Sequence, residues 1–390
     1  MIIGRVIDAG TTLPLWQDTS PVRAEIFGIE RLEELGRSLA AAQPILAGKA
    51  RGHPLSGRLA DNAAALLEAN RAIAEQAAHR RHLVPAAQWL IDNYHLVDMQ
   101  IREIGIDLPR KYYFQLPKLA EGPFAGLPRV FGATWSLVSH TDSRIESQAL
   151  RRYLLAYQEV QPLTIGELWA VPITLRIVLI ENLRRVATTI VDNSAAQLKA
   201  DLLADRLLGH GGQAVQPWLE VVGSLGGVSV TDAFAVQFAH RLRGQDPKDD
   251  LAPDWLDKRL AERGTTIATV VQTELQQQGA ANATIQNIVT SLRLIAGIDW
   301  SEAIERVCLV DGVLASACNF RDMDLATRNL YRSAVEELAR GSRLAELDIA
   351  RSAAAMAKEA AATGVGGGRH GDPGYYLVAG GRPAFETAIG

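Results

Sequence analysis

The stretch Gln161–Arg185, QPLTIGELWAVPITLRIVLIENLRR, decides how the chain is read: it is the most hydrophobic passage, yet Glu167, Arg176 and Glu181 lie inside it. From Leu168 to Ile180 there are 13 residues, interrupted by Pro172 and Arg176, against the roughly 20 apolar residues a bilayer span needs. The stretch therefore reads as a buried helix. Thr164 and Glu167 form T-x-x-E, a capping box in which each residue's side chain satisfies the other's backbone N–H. Leu163 and Leu168 are spaced for a hydrophobic staple across that cap. Pro172 lies beyond the first turn, removes one backbone bond and is expected to bend the helix. Arg176 stands among Ile173, Leu175, Ile177, Val178, Leu179 and Ile180 with no broad polar face, so its guanidinium needs a partner. Asp142, Glu146 and Glu159 from neighbouring helices are the candidates for an ion pair; a ligand or partner contact is the other reading.

Working outward, nearly every periodic segment is helical, and the fold class is all-α: a multi-helix bundle or an irregular stack of helical hairpins in two lobes. Ser20 and Pro21 read as N-cap and first helical residue. Helices follow from about Leu55, after Pro85 up to the stop at Pro109, and over Arg129–His140, Glu146–Tyr157, Thr164 to about Val191, and Ala195–Leu207. Further helices are expected over Thr231–Arg243, Pro253–Glu262, Thr266–Gln278, Thr284–Ala296, Ser301–Ala317, Asp324–Arg340 and Leu344–Ala362. Between Pro109 and Pro128, prolines and glycines forbid a continuous helix, yet the loop is rich in aromatics and wants a surface to pack on. The organisation expected is an N-terminal extension over 1–20, lobe 1 over 21–208, lobe 2 over 209–363 beginning at the glycine-rich GHGGQ, and a Gly-rich linker with a connector of little periodicity over 364–390.

Composition narrows the function. The 390 residues are 48% hydrophobic with a formal charge of −4, enough for a substantial core and without the basic stripe that nucleic acid requires. Cys308 and Cys318 do not match a metal-ligand spacing and read as small core residues in a reducing compartment. The N-terminal MIIGRVIDAGTTLPLW has no basic leader, so no secretory signal is read there. SHTDSR, Ser139–Arg144, could pair a serine with His140 as nucleophile and base, but Asp142 or Ser143 in a turn or capping the next helix explains the same letters. Asp92, His95 and Asp98 share a helix face, but a di-iron site needs a second such half-site and none is found. Asp324 of RDMDLATR reads as an N-cap and not as a metal-binding D-x-D. GVGGG at 364 lacks the lysine and hydroxyl of a phosphate loop.

Five blocks, taken together and in order, resemble the N-terminal region of the cyclic β-1,2-glucan synthases: LPRKYYFQLPKL, GLPRVFGATWSLVSHTDSR, LLAYQEVQPLTIGELWAVPITLRIVLIENLRR, MDLATRNLYRSAVEELAR and DPGYYLVAGGRPAFE. These are large bacterial inner-membrane enzymes that build cyclic glucan from UDP-glucose. The resemblance implies a parent that uses UDP-glucose with a divalent metal ion, whose membrane segments, transferase domain and phosphorylase-like domains lie further along a much longer chain. It implies no cofactor in the present residues and places them on the cytoplasmic side of the inner membrane. The chain carries no Q-x-x-R-W acceptor signature, and the D-x-D at Asp322 departs from the family pattern, which further weakens a metal role. The expectation is a non-catalytic N-terminal module serving assembly, glucan handling or regulation, with the downstream domains as partners and glucan as a candidate ligand. Its expected surface joins Tyr112, Tyr113 and Phe114 to the helix from Thr164, with Arg129, His140, Asp142, Arg144, Trp169 and Arg176 as further candidates for partner or glycan contact. The alternatives are a free-standing helical carbohydrate-binding or scaffold protein, and an independent enzyme using His140, Asp142 and Arg176.

Overall fold

A computed structural model describes residues 17–46, 53–79, 83–209, 216, 218, 230–243, 251–363 and 368–390. GVGG at 364–367, most of GHGGQ and the first 16 residues of the expected extension lie outside them. The described residues are all-α, with only two isolated antiparallel bridges, Ile45 with Leu119 and Lys118 with Pro128. In chain order the helices are α1 Ile29–Ala42, α2 Leu55–Ala78, α3 Pro85–Asp107, α4 Arg110–Gln115, α5 Arg129–His140, α6 Ser147–Val160 and α7 Ile165–Leu208. They continue with α8 Asp232–Leu242, α9 Leu251–Glu262, α10 Ile267–Gly297, α11 Trp300–Glu305, α12 Leu309–Ala317, α13 Leu325–Gly341, α14 Glu346–Thr363, α15 Pro373–Val378 and α16 Arg382–Ile389.

Helix α7 organises the rest. It spans 44 residues, about 66 Å at 1.5 Å per residue, and joins two segments that the sequence reading kept apart. Both bonds of its capping box are made: the Glu167 N–H donates to Thr164 Oγ1 at 3.1 Å, and the Thr164 N–H donates to Glu167 Oε2 at 2.9 Å. From Ile165 to Leu183 almost every side chain is buried, as a helix hydrophobic all round demands, and α2, α3, α5, α8 and α10 pack along it. No described helix is long and apolar enough to cross a membrane.

The apolar side chains gather into two clusters, and α7 and α10 thread both. The larger runs from Val22 to Ile190 and resumes from Ile285 to Phe385; the smaller joins Ala200, Leu203 and Ala204 of α7 to Phe234, Phe238, Leu256, Leu260 and Val270. The expected helices over 266–278 and 284–296 are thus one rod, α10, whose intervening Gly-Ala-Ala-Asn-Ala residues hold helical geometry. Conversely, Ser301–Ala317 divides into α11 and α12 around Val307 and Cys308.

Three local readings change. Ser20 and Pro21 do not start a helix; residues around them form an extended strap. The Val22 N–H donates to Asn182 Oδ1 at 2.7 Å, Asn182 Nδ2 returns a bond to the Val22 carbonyl at 3.3 Å, and Ala24 and Phe27 donate to the carbonyls of Ser139 and His140 at 2.9 Å each. Arg176 pairs with Glu103 at 3.2 Å and Asp107 at 2.8 Å on α3, not with the three carboxylates expected. Asp142 is held by Arg23, Glu146 by Arg144 and Glu159 by Arg37. The tail is not an aperiodic connector: α15 and α16 bury Tyr376, Leu377 and Phe385 in the main core. Asp372 caps α15 by accepting from the Gly374 N–H at 2.7 Å and also accepts from the Tyr331 hydroxyl at 3.1 Å.

Buried charges on α7 are matched. Glu181, 1% exposed, accepts from Arg58 at 2.7 and 2.8 Å, Asn62 at 2.8 Å, Arg184 at 3.0 Å and Arg185 at 2.8 Å. Burial pushes its carboxyl up, but these donors outweigh burial and hold it at about 2 against an ordinary 4.5. A lowered carboxyl contributes stability that is complete above the unfolded value and lost as pH falls through the folded one. Glu181→Gln should therefore cost roughly 3 kcal/mol at pH 7, with the gap to wild type closing between pH 4.5 and 2 in urea titrations. At Gly374, a Cβ would overlap the Tyr331 hydroxyl, so Gly374→Ala should cost about 1–3 kcal/mol and expose the tail to protease while leaving total helicity by far-UV circular dichroism near that of wild type.

Candidate ligand cleft

The first turn of α7 is also one wall of a cleft of about 680 Å³. α4 and the chain after it supply Tyr112, Gln115, Leu116 and Pro117; α7 supplies Thr164, Ile165, Gly166 and Trp169; α13 supplies Asn329, Arg332, Ser333, Glu336, Ala339 and Arg340; Leu344, Ala345 and Glu346 lead into α14. The walls are fixed by bonds between elements. The Tyr112 hydroxyl donates to the Gly166 carbonyl at 2.6 Å, tying α4 to α7, and burial raises that phenol above its ordinary value. The Ile165 N–H, one of the donors a helix start leaves unpaired, donates to Glu346 Oε2 at 2.7 Å, tying α7 to α14. Behind the turn, Arg129 Nε donates to Glu167 Oε1 at 2.9 Å, and both side chains are at most 1% exposed.

On α13 the guanidinium of Arg332, 4% exposed, is held by Asp311 at 2.6 Å and Glu305 at 2.9 Å and donates to Asn329 Oδ1 at 2.7 Å. That bond orients the Asn329 amide so that its NH₂ is left for the cleft. Among the described residues, the Trp169 indole N–H, the Ser333 hydroxyl and the Glu336 carboxylate make no hydrogen bond or ion pair. Among the described residues, the one cation of the lining not committed to a carboxylate is Arg340, whose Nε donates to the Glu336 carbonyl at 3.1 Å. Burial raises both cleft carboxyls: Glu336 upward, and Glu346 to about 7, where Glu336 and Glu167 add to the effect and the Ile165 N–H and Arg340 oppose it. The result is two aromatic surfaces beside an array of free donors and acceptors, with more carboxyl than cationic character.

Of the residues singled out from sequence, Tyr112 and Trp169 line the cleft and Arg129 supports it from behind. Tyr113 is buried, its hydroxyl donating to the His53 carbonyl and its ring 4.5 Å from the Lys118 ammonium. That ammonium donates to the carbonyls of Tyr113 and Leu116 at the end of α4, and burial lowers it to about 8. Phe114 is 41% exposed and lies outside the lining. His140 Nδ1 bonds the Glu25 carbonyl at 2.7 Å and its ring stacks on Phe27 at 4.1 Å, while the Ser139 hydroxyl donates to the Ser136 carbonyl; this is not a nucleophile and base. Asp142 and Ser143 take left-handed φ of 47° and 65° and do not cap α6, whose N-cap is Glu146. Asp142 accepts from Arg23 at 3.0 Å and Thr284 at 2.7 Å, and Arg144 is an exposed partner of Glu146. His140, Asp142 and Arg176 do not meet in this cleft. Sequence reasoning missed Asn329, Ser333, Glu336, Arg340 and Glu346, although all but Glu346 lie inside the resemblance block MDLATRNLYRSAVEELAR.

Fold and cleft define an all-helical module, built on one buried helix, with a ligand-sized polar and aromatic recess at that helix's start. No family model matches the chain. Over 371 residues, 95% of its length, it is 32% identical to the cyclic beta-(1,2)-glucan synthase NdvB of Rhizobium meliloti (strain 1021), and it is homologous to the N-terminal part of that protein. The chain spans 13% of the length of that curated relative.

A raised carboxyl contributes stability that is complete below its unfolded value and lost as pH rises through the folded one. For Glu346 that window runs from 4.5 to about 7. Glu346→Gln should therefore be more stable than wild type at pH 8, with its advantage shrinking toward pH 5, as read by thermal unfolding across pH.

Proposed function

We propose that this chain is a non-catalytic N-terminal module of a cyclic β-1,2-glucan synthase, and that its task is glucan handling: the cleft holds a segment of β-1,2-glucan for the parent's downstream domains. The parent would use UDP-glucose and a divalent ion in those domains, at the cytoplasmic side of the inner membrane. The observation that carries the reading is the pairing of Tyr112 and Trp169 with the unspent polar groups of Asn329, Ser333 and Glu336 in one cleft. A glucan presents apolar C–H faces that pack on aromatic rings and hydroxyls that both donate and accept. The carboxyl surplus suits such a neutral polyol and opposes a diphosphate, whose charge would meet Glu336 and Glu346 with Arg340 as the available cation. The donor nucleotide therefore belongs elsewhere in the parent.

Calorimetric titration of the chain with cyclic and linear β-1,2-glucans should show saturable binding, and Trp169→Ala should weaken it about tenfold, the equivalent of roughly 1.4 kcal/mol, without loss of helicity. Equal affinity for Trp169→Ala, or none in wild type, would remove this cleft as a glucan site.

A further inference from the structure

Building on the glucan-binding reading of the cleft, we propose that glucan binding takes up a proton on Glu346, so that the module grips sugar more tightly as pH falls through neutrality. Groups on α7, α13 and α4 surround this carboxyl in the cleft. From α7 come the Ile165 N–H, bonded at 2.7 Å, and Glu167, whose charge Arg129 neutralises. From α13 come Glu336, with no ion pair among the described residues, and Arg340, exposed at the rim. From α4 comes Tyr112, its hydroxyl committed to the Gly166 carbonyl. Arg332 is committed to Asp311 and Glu305. Glu336 and Glu346 also lie close to one another: Glu336 Oε1 is 3.8 Å from where a Cβ on Gly166 would stand, and Glu346 is bonded to the preceding residue.

Two carboxyls thus flank one helical turn, offset among the described residues by the partial positive charge of the α7 start and by one exposed arginine. In the open cleft, water screens their repulsion. A glucan expels that water and brings no charge, so keeping both carboxylates ionised becomes more costly than protonating one of them. Glu346 is the one to take the proton because burial has already moved it to about 7. The step is a protonation only: a proton leaves the buffer, an O–H bond forms on Glu346, and the resulting carboxylic acid can donate to a sugar oxygen while its other oxygen keeps the Ile165 N–H. By linkage, affinity falls with rising pH, approaching tenfold per pH unit once the free carboxyl is ionised and the bound one is not.

The test is calorimetric titration of the chain with cyclic β-1,2-glucan at pH 6, 7 and 8, at each pH in buffers of low and high ionisation enthalpy. The expected result is a dissociation constant that rises at least fivefold from pH 6 to 8, with buffer-dependent enthalpies reporting proton uptake. In Glu346→Gln, shown folded by circular dichroism, the affinity that remains varies with neither pH nor buffer. Wild-type binding that is independent of pH and buffer would overturn the proton linkage and leave the glucan reading standing. A Glu346→Gln variant with the wild-type profile would also overturn the assignment, and Glu336→Gln would then be expected to carry the loss. If that variant does not fold, the wild-type profile and proton count decide. Absence of binding at every pH would sink the glucan reading and this inference together.

Discussion

Between α5 and α7 the Arg129 guanidinium and the Glu167 carboxylate meet with at most 1% of either side chain exposed. Taking both charges out of water is costly, and further hydrogen bonds offset that cost: Arg129 also bonds Gln161 and the Pro162 carbonyl, and Glu167 also closes the capping box with Thr164. Truncating either partner would strand a buried charge. The pair therefore fixes where α7 begins and in which direction it runs. The Ile165 N–H and the Gly166 carbonyl, presented to Glu346 and Tyr112, are placed by the same anchor. Core and cleft share one constraint.

Much of this was legible in the sequence, wherever the cause was local. The capping box at Thr164, the Asp324 cap and the stop before Pro109 follow from residue chemistry within a few positions. Helix existence followed from periodicity, and the length of Leu168–Ile180 excluded a span. What failed depended on distant neighbours. Arg176 finds Glu103 and Asp107 only because α3 lies along α7, a packing choice no spacing announces. Ser20 and Pro21 look like a helix start, but Asn182 on α7 offers the strap's backbone a better partner. The tail has weak periodicity because α15 and α16 are short; its order comes from the fit of Gly374 against Tyr331 and the burial of Phe385. Within the cleft Tyr112 and Trp169 were legible, since both are aromatic and flank conspicuous local signals. The α13 wall was not, because Asn329, Ser333, Glu336 and Arg340 look like an ordinary solvated helix face until α4 and α7 stand opposite.

A module homologous to 13% of a glucan synthase invites the question of what a helical region contributes to a polymerising enzyme. In the reading proposed above, the cleft holds glucan for the parent's downstream domains. The tail passes beside α13, the helix that also forms the far wall: Tyr331 bonds Asp372, and the next residue, Arg332, positions Asn329. The chain's C-terminal segment and its cleft are thus built on adjacent residues of a single helix.

The central claim is that this cleft is a glucan site. An experimental structure of the chain with a bound β-1,2-glucooligosaccharide tests it most directly. Sugar rings are expected against Trp169 and Tyr112, with hydroxyls bonded to Glu346, Glu336 and Asn329. Sugar bound on another surface, with this cleft left to water, would contradict it.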